Sequence, residues 1–195
     1  VDKEVIEVGS GRGGGAAFLA RNFAVRSYLG LDLSEKAVRF SGLMHRDVPK
    51  LSFEQGDSQK LPLADESCDV VINVESSHCY PNFKTFLGEA QRCLRPGGFF
   101  LFADFRPLDS LPLTKEAIAA SGLEVVLHKD ISRHVLASLK NESAAKANFL
   151  KRNFPRFLQK IFRSFAGIEG TFMFQSFSNG SMVYPLYVLR KGANS

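Results

Sequence analysis

The sequence predicts an α/β fold in which helices cover both faces of a mostly parallel, doubly wound sheet. From the start of the 195-residue chain to Leu127, short apolar segments alternate with segments of helical spacing. A glycine-rich stretch follows the first apolar segment directly, which is typical of a strand that turns tightly into a helix. Such alternation makes consecutive strands parallel, so we expect ligands at their carboxyl ends, where the strand order reverses.

Seven segments are predicted to be strands because each is short, apolar and bounded by turn residues. They are residues 4–8, 27–31, 51–55, 69–72, 99–103, 123–127 and 182–189. Helices are predicted at residues 16–23, 34–45, 83–94 and 114–121, the second with Ser34 as its N-cap. Pro185 lies inside the last strand, so we expect this strand at an edge of the sheet or at a bulge.

Residues 132–180 break the alternation and contain two helical stretches with many phenylalanines. We expect one domain over residues 1–195, with 132–180 as a helical lid over a binding site. Phe174 in this insertion could line an apolar pocket. Residues 148–165 predict an amphipathic helix with a basic side, which either lies on an anionic membrane surface or packs on the core. Both alternatives favour a hydrophobic, lipid-like ligand.

Composition excludes several protein classes. The chain is 45% hydrophobic and 23% charged, which is ordinary for a globular protein, and no apolar run is long enough to span a bilayer. Its net charge of +5 favours anionic partners or is simply spread over a solvated surface. Three cysteines without disulfide or metal-ligand spacing fit a reducing compartment, so we expect a cytoplasmic protein without a metal. Buried positions are expected for Cys68 and Cys93.

The glycine-rich loop after the first strand is the first candidate binding element. Gly9, Gly11 and Gly14 satisfy the pattern Gly-x-Gly-x-x-Gly, and they let the backbone turn sharply beside a ligand. The helix that follows presents free N–H groups, which suit a phosphate or the carboxylate of an amino acid. Asp32 ends the second strand, where a carboxylate can accept two hydrogen bonds from ribose hydroxyls. These features fit a dinucleotide-binding dehydrogenase as well.

Two further carboxylates favour a ligand that carries an amino acid and adenine. Glu7 lies inside the first strand, where a buried carboxylate is costly unless the loop N–H groups or a cationic amine satisfy it. A pyrophosphate gains little from that negative charge. Asp57 follows the third strand and could accept a hydrogen bond from an exocyclic amine such as adenine N6.

Together these stretches resemble the class I S-adenosylmethionine-dependent methyltransferase family over nearly the whole chain. The resemblance lies in residues 5–14 (VIEVGSGRGG), 29–34 (LGLDLS), 53–58 (FEQGDS), 69–73 (DVVIN) and 94–99 (LRPGGF). It implies a Rossmann-like fold whose last strand runs antiparallel. Family members also have helices before the first strand that cover the cofactor, whereas this chain opens almost directly on that strand.

The resemblance also implies roles for individual residues. The methionine part of S-adenosylmethionine would be held by Glu7, Gly9, Ser10 and Gly11. Asp32 would bind the ribose, and Asn73 would accept a hydrogen bond from the amine through its carbonyl oxygen. Adenine would be contacted by Leu33, Asp57 and Ser58.

A closer resemblance is to small-molecule and lipid O-methyltransferases of the mycobacterial phthiotriol dimycocerosate type. Residues 73–81 (NVESSHCYP) and 102–106 (FADFR) carry it. An alcohol loses a proton when it is methylated, and histidine is the usual general base. His78 is therefore the candidate base or acceptor-positioning residue, with Glu75 and Tyr80 near enough to orient it. Tyr80 and Arg106 are candidate contacts to the acceptor, although Arg106 could also be a surface residue.

The sequence leaves three other functions open. They are an NAD(P)-dependent oxidoreductase, because of the glycine pattern, a nucleic-acid methyltransferase, because of the charge, and a non-catalytic binding fold. Residues 73–76 (NVES) argue against base methylation, for which an Asn-Pro-Pro-Tyr type of sequence is expected. The sequence does not indicate the acceptor or the oligomeric state.

Overall fold

The computed structural model describes residues 2–155 and 167–193. The strands in these ranges are β1 (Lys3–Val8), β2 (Val25–Asp32), β3 (Leu51–Gln55), β4 (Cys68–Val74), β5 (Leu94–Ala103), β6 (Arg106–Pro107), β7 (Leu123–Asp130), β8 (Met182–Val183) and β9 (Pro185–Lys191). The helices are α1 (Gly14–Asn22), α2 (Glu35–Met44), α3 (Phe83–Cys93), α4 (Leu111–Ala119), α5 (Ser132–Asn153) and α6 (Phe172–Ser178). The chain divides into two compact units, the first made of residues 2–104, 112–128 and 186–193, the second of 105–111, 129–155 and 167–185.

The first unit is built on a sheet of seven strands in the order β3-β2-β1-β4-β5-β9-β7. β1 pairs in parallel with β2 on one side and with β4 on the other, so the strand order reverses between β1 and β4. β9 runs antiparallel to β5, with Phe100 opposite Leu189. The predicted seven-stranded, mostly parallel sheet with an antiparallel last strand is confirmed.

Helices pack on both faces of this sheet. On one face α3 buries Phe86, Leu87 and Cys93 in a cluster with β4 and β5. On the other face Ala16 of α1 packs with Tyr28 and with residues of β1 and β4. Cys68 and Cys93 are buried, as predicted, and burial raises the pKa of Cys68 to about 12 and that of Cys93 to about 11. Both thiols therefore stay protonated near neutral pH.

The starts of the helices follow the predicted local chemistry. The Ser34 side chain accepts a hydrogen bond from the Ala37 N–H at 3.3 Å and so caps α2. Asn82 caps α3 in the same way through the Thr85 N–H at 3.1 Å. α4 begins at Leu111 and ends at Ala119, three residues earlier at its start than the helix predicted at 114–121.

Two predicted strands have different bounds in the structure. β5 begins at Leu94 rather than at residue 99, because the Arg-Pro-Gly-Gly stretch is accommodated as an irregularity within the strand, with Gly97 at φ +79°. The strand predicted at 182–189 is divided at Tyr184. Met182–Val183 pairs with β6, and Pro185 begins β9. The expected edge position of Pro185 is wrong, since β9 lies between β5 and β7, but proline is tolerated at the first residue of a strand.

The second unit contains α5, α6 and the short β6–β8 pair. Among the described residues of this unit, the buried apolar side chains are Leu150, Ile168, Phe174, Phe177, Met182, Val183 and Tyr184. The helix predicted over 148–165 is wrong in its extent: α5 ends at Asn153, and Phe154 is extended, as expected for a residue before proline. The rest of that segment, residues 156–166, lies outside the described residues. Among the helices of the described ranges, none is long and apolar enough to cross a membrane.

Candidate functional site

The loop between β1 and α1 lies at the carboxyl ends of the strands, next to the end of β2. The N–H groups of Gly9 and Ser10 both donate to the Leu31 carbonyl oxygen, at 2.8 and 3.0 Å. Gly9 and Gly11 have φ of +79° and +55°, which side chains rarely adopt. A Cβ on Gly9 would lie 2.0 Å from Ser76 Oγ, whereas a Cβ on Gly11 would meet no atom within 4 Å. The loop is therefore closed at Gly9 by protein and open at Gly11.

Asp32 joins this loop to the end of β2. Its Oδ2 accepts a hydrogen bond from the Gly11 N–H at 2.8 Å, and its Oδ1 accepts one from the Ser34 N–H at 2.9 Å. A carboxylate oxygen accepts more than one hydrogen bond, so both oxygens keep capacity for a ligand. Leu33 beside it is 67% exposed, although it is a large apolar residue.

Asp57 and Ser58 follow β3 and adopt a tight turn. Asp57 Oδ1 accepts a hydrogen bond from the Gln59 N–H at 2.8 Å, and buried Ser58 accepts one from Gln59 Nε2 at 3.2 Å. A pocket of about 390 Å³ lies between this turn and the glycine loop. Seven of the residues predicted to bind cofactor or acceptor line it: Gly9, Gly11, Asp32, Leu33, Asp57, Ser58 and Tyr80.

Glu7 is buried in β1 beneath the start of α1. Its Oε2 accepts a hydrogen bond from the Tyr28 hydroxyl at 2.8 Å, and its Oε1 lies 3.5 Å from the position that a Cβ on Gly15 would take. Burial raises the pKa of Glu7 to about 7, and the Tyr28 hydrogen bond opposes only part of that rise. A cation bound nearby would favour the ionised carboxylate.

Asn73, Ser76 and Tyr80 form a hydrogen-bonded group above Gly9. Asn73 Nδ2 lies 2.8 Å from the Val8 carbonyl oxygen and 2.9 Å from both Ser76 Oγ and Tyr80 Oη. The two hydroxyls lie 2.7 Å apart. Burial raises the pKa of Tyr80 to about 12, so its hydroxyl stays neutral at physiological pH. The group fixes the Asn73 amide with its nitrogen toward the protein.

Two buried polar atoms at this end of the sheet have no hydrogen-bond partner among the described residues. They are Ser10 Oγ and Asn73 Oδ1. Buried polar groups are normally satisfied, so an unpaired hydroxyl and an unpaired carbonyl indicate a ligand with complementary groups. Neither residue is among those that line the pocket, and Ser10 Oγ lies 2.9 Å from the position that a Cβ on Gly30 would take.

His78 lies in a short turn of 3₁₀ helix after β4 and is held by Asp104. The Asp104 carboxylate accepts hydrogen bonds from Ser77 Oγ at 2.7 Å and from the His78 N–H at 2.9 Å, and its Oδ1 lies 2.9 Å from His78 Nδ1. Asp104 is fully buried, while the His78 side chain is 28% exposed. A proton on Nδ1 completes this arrangement and makes Nε2 the acceptor nitrogen of the neutral ring.

Asp104 and Ser76 were not selected from the sequence. The orienting group at His78 Nδ1 is Asp104, and Tyr80, one of the two residues expected to orient His78, has its hydroxyl bound to Ser76 and Asn73 instead. Asp104 immediately follows the apolar residues of β5. A lone carboxylate directly after a buried strand is the signal that could have indicated it.

The other two candidate residues belong to the second unit. Arg106 in β6 is buried, with Nη1 donating to the Phe105 carbonyl oxygen at 2.8 Å, so it is not a surface arginine. Phe174 on α6 is also buried. Within the described part of the chain, no group of three or more His, Cys, Asp or Glu residues is arranged to hold a metal ion.

The chain is similar to known proteins in both sequence and structure. The family model described as a methyltransferase domain matches residues 6–102. The chain is 40% identical over 189 residues to the phthiotriol/phenolphthiotriol dimycocerosates methyltransferase of Mycobacterium tuberculosis, covering 97% of this chain and 70% of that protein. It is 41% identical over 157 residues to the fatty-acid O-methyltransferase of Mycolicibacterium smegmatis, covering 80% of this chain and 57% of that protein.

A solved structure supports the fold. The phosphoethanolamine N-methyltransferase 2 of Haemonchus contortus in complex with S-adenosyl-L-methionine superposes with a TM-score of 0.84. The match covers 98% of this chain and 49% of that one at 15% identity, so it bears on the fold alone.

Proposed function

Because this chain belongs to the S-adenosylmethionine-dependent methyltransferase family, we propose that it O-methylates a hydroxyl group of a hydrophobic small molecule or lipid. S-adenosylmethionine is the cofactor of this family, and the chain is accordingly an enzyme of methyl transfer. Family membership also decides against the nicotinamide-dependent oxidoreductase that the glycine pattern left open. The observation that carries the proposed chemistry is the His78–Asp104 pair at the end of β4.

The residues around the pocket suit the parts of the cofactor. Asp32 would accept hydrogen bonds from the ribose hydroxyls, with Leu33 against adenine and Asp57 and Ser58 at its edge. The unpaired Ser10 hydroxyl would donate to the carboxylate of the methionine part, together with the open backbone at Gly11.

The amine of the methionine part would be recognised by two groups. Asn73 Oδ1 is buried without a partner among the described residues and would accept a hydrogen bond from that amine. Glu7, when ionised, would add a negative charge beneath the loop. When bound, S-adenosylmethionine supplies an activated methyl group, so much of the rate depends on how the protein positions the acceptor.

His78 would act as the general base toward the acceptor hydroxyl. Its Nε2 would take the proton that the hydroxyl loses as the new carbon–oxygen bond replaces the methyl–sulfur bond of the cofactor, and the imidazole would become a cation. Asp104 keeps the proton on Nδ1 and stabilises that cation, since its carboxylate is buried and lies 2.9 Å away. Asp104 is therefore a positioning residue that acts through His78.

A hydrophobic acceptor is supported by the relatives, whose names refer to a dimycocerosate lipid and to fatty acids. These relatives favour such an acceptor over a nucleic acid, as do residues 73–76 (NVES), which differ from the Asn-Pro-Pro-Tyr type of sequence. Tyr80, Arg106 and Phe174 remain our candidates for contacts to it, and the insertion 132–180 remains our candidate for a lid. Residues 148–165 remain a candidate for peripheral membrane contact of a cytoplasmic enzyme, although not as one helix.

The test is a methyl-transfer screen with isotopically labelled S-adenosylmethionine against lipid, quinone, sterol and sugar alcohols. We expect transfer to an apolar alcohol, and at least a 100-fold lower kcat for His78→Gln. Calorimetric affinity for S-adenosylhomocysteine should be unchanged in this variant. His134→Gln is the matched control, because His134 is exposed on α5. Full activity of His78→Gln, or transfer to nucleic acid alone, would rule the proposal out.

A further inference from the structure

Five large apolar side chains are exposed on α1 and α2 or directly after α1. They are Phe18, Phe23, Phe40, Leu43 and Met44, with exposed fractions between 42% and 67%. We call this surface the α1–α2 face. Single exposed apolar residues are common on proteins, but a group of this size marks an interaction surface.

The spacing along α2 shows that the apolar side chains form one side of the helix. Phe40 is four residues after Lys36, and Leu43 and Met44 are three and four residues after Phe40, so these side chains project in similar directions. Ser41 follows Phe40, projects about 100° around the helix from it and is fully buried against the sheet. The apolar side of α2 thus points away from the core, which is the reverse of an ordinary surface helix.

Contacts at both ends join the two helices into one surface. The Arg12 guanidinium lies 5.2 Å from the centre of the Phe40 ring, and the Arg12 carbonyl oxygen lies 3.1 Å from His45 Nε2. At the other end of α1, Arg21 forms an ion pair with Asp47 at 3.1 Å.

The α1–α2 face is also basic. Residues 12–23 and 35–47, which span the two helices and their ends, contain five Lys and Arg against two Asp and Glu, a net charge of +3 out of the chain's total of +5. Arg12, Lys36 and Arg46 are exposed and have no ion pair within the described residues. Arg21 and Arg39 are paired with Asp47 and Glu35. Cationic side chains therefore surround the apolar ones.

We propose that the α1–α2 face docks on an anionic lipid surface. Aromatic, Leu and Met side chains enter the boundary between headgroups and acyl chains, while Lys and Arg contact the lipid phosphates. A second copy of this chain is a poorer occupant, because a two-fold interface would place two surfaces of net charge +3 against each other. This inference goes beyond the proposed function and does not depend on which atom is methylated.

The α1–α2 face lies close to the pocket along the chain. α2 begins at Glu35, two residues after Leu33, and both Asp32 and Leu33 line the pocket. A lipid surface bound along α2 would therefore lie beside the pocket.

The test is cosedimentation of the protein with vesicles of equimolar phosphatidylglycerol and phosphatidylcholine, compared with phosphatidylcholine alone. We expect binding to the anionic vesicles only, weakened by salt. Each basic side chain near such a surface contributes roughly fivefold to partitioning. The variants Lys36→Glu/Arg46→Glu and Leu43→Ser/Met44→Ser should each lower the partition coefficient at least about tenfold. Their urea unfolding should be unchanged, since these side chains are exposed.

Matched controls alter the same residue types elsewhere on the first unit. Lys84→Glu/Lys115→Glu removes equal charge from exposed positions, and Leu113→Ser/Val126→Ser removes exposed apolar side chains. Equal losses in these controls would overturn the proposal, as would equal binding to neutral vesicles. The proposal would also be overturned if Lys151→Glu/Arg152→Glu were the one variant to lose vesicle binding, because the contact would then lie in residues 148–165. A dimer that Leu43→Ser/Met44→Ser dissociates, with vesicle binding kept, would identify a second copy as the occupant.

Discussion

Asp104 binds His78 twice, through the backbone N–H and through Nδ1 of the imidazole, with each hydrogen bond at 2.9 Å. One carboxylate therefore fixes both the turn that carries the histidine and the orientation of its ring. Because Asp104 is fully buried, its interaction with a protonated imidazole is only weakly screened by solvent.

Replacement of Asp104 by Asn should lower kcat about 100-fold or more with little change in the affinity for S-adenosylhomocysteine. An amide cannot stabilise the imidazole cation as a carboxylate does, and it can leave the ring in the wrong tautomer. Steady-state kinetics and calorimetry separate the two effects. The pH profile of kcat should also change, which a purely structural role of Asp104 would not produce. Ser77→Ala removes the hydrogen bond from Ser77 Oγ to Asp104 and leaves the histidine contacts in place, so it is the control and should lower kcat far less.

Gly9→Ala should destabilise the protein by about 2–4 kcal/mol. The new Cβ would lie 2.0 Å from Ser76 Oγ and 2.8 Å from Tyr80 Oη, and it would require an unfavourable positive φ. Urea unfolding measures this loss, and Gly9→Ala/Ser76→Gly should recover part of it. Gly42→Ala, on α2 with open space around it, should instead stabilise slightly. Equal stability of the two single variants would contradict the proposed crowding at Gly9.

The free energy of unfolding should fall as pH rises from 4.5 to 8, because of Glu7. Burial raises the pKa of Glu7 from 4.5 to about 7, so between these values the folded state holds a proton that the unfolded state has lost. Glu7→Gln keeps an acceptor for Tyr28 and removes the titration. The variant should gain about 3 kcal/mol on the wild type between pH 4.5 and pH 8, by urea unfolding.

Glu54→Gln is the control for that measurement, because Glu54 is exposed on β3. Its stability should follow that of the wild type at every pH. Parallel pH curves for Glu7→Gln and the wild type would show that Glu7 is already ionised in the folded state.

Ser10→Ala should weaken the binding of S-adenosylhomocysteine about three- to tenfold while leaving the stability of the unliganded protein nearly unchanged. The Ser10 hydroxyl is buried without a hydrogen-bond partner among the described residues, so the fold loses no hydrogen bond when it is removed. Ser77→Ala offers the contrast, because the Ser77 hydroxyl is bound to Asp104 and its removal should lower stability. Calorimetry measures the affinity for S-adenosylhomocysteine, and urea unfolding measures the stability of each variant. A large loss of stability in Ser10→Ala would mean that its hydroxyl serves the fold.

The parallel part of the sheet was predictable because each strand is a short apolar run that ends in a polar residue or a glycine. The predictions that were wrong concern segments that contain a proline, because a proline is compatible with more than one position in a strand or helix. Pro185 is excluded from most strand positions, yet it begins β9 within the sheet. The apolar spacing of residues 148–165 continues through Pro155, but the constraint on Phe154 ends α5.

The binding loop was predictable for a similar reason, since glycines and strand-end carboxylates have few alternative uses. Seven of the predicted residues line one pocket. The position of Asp104 after a buried strand marks it as a candidate, but its contact with His78 was not predictable, because the two residues are 26 apart and meet only through the pairing of β4 with β5. Local sequence does not specify such a contact.

The antiparallel strand β9 has a consequence for how the chain folds during synthesis. Phe99 of β5 pairs with Arg190 of β9, which is synthesised 91 residues later. The hydrogen-bonding groups on that side of β5 therefore have no strand partner until β9 has been made. Until it emerges from the ribosome, an apolar strand edge stays open to other nascent chains. We expect ribosome-bound chains that end before residue 185 to need chaperone protection, and chains extended past residue 191 to be released from it.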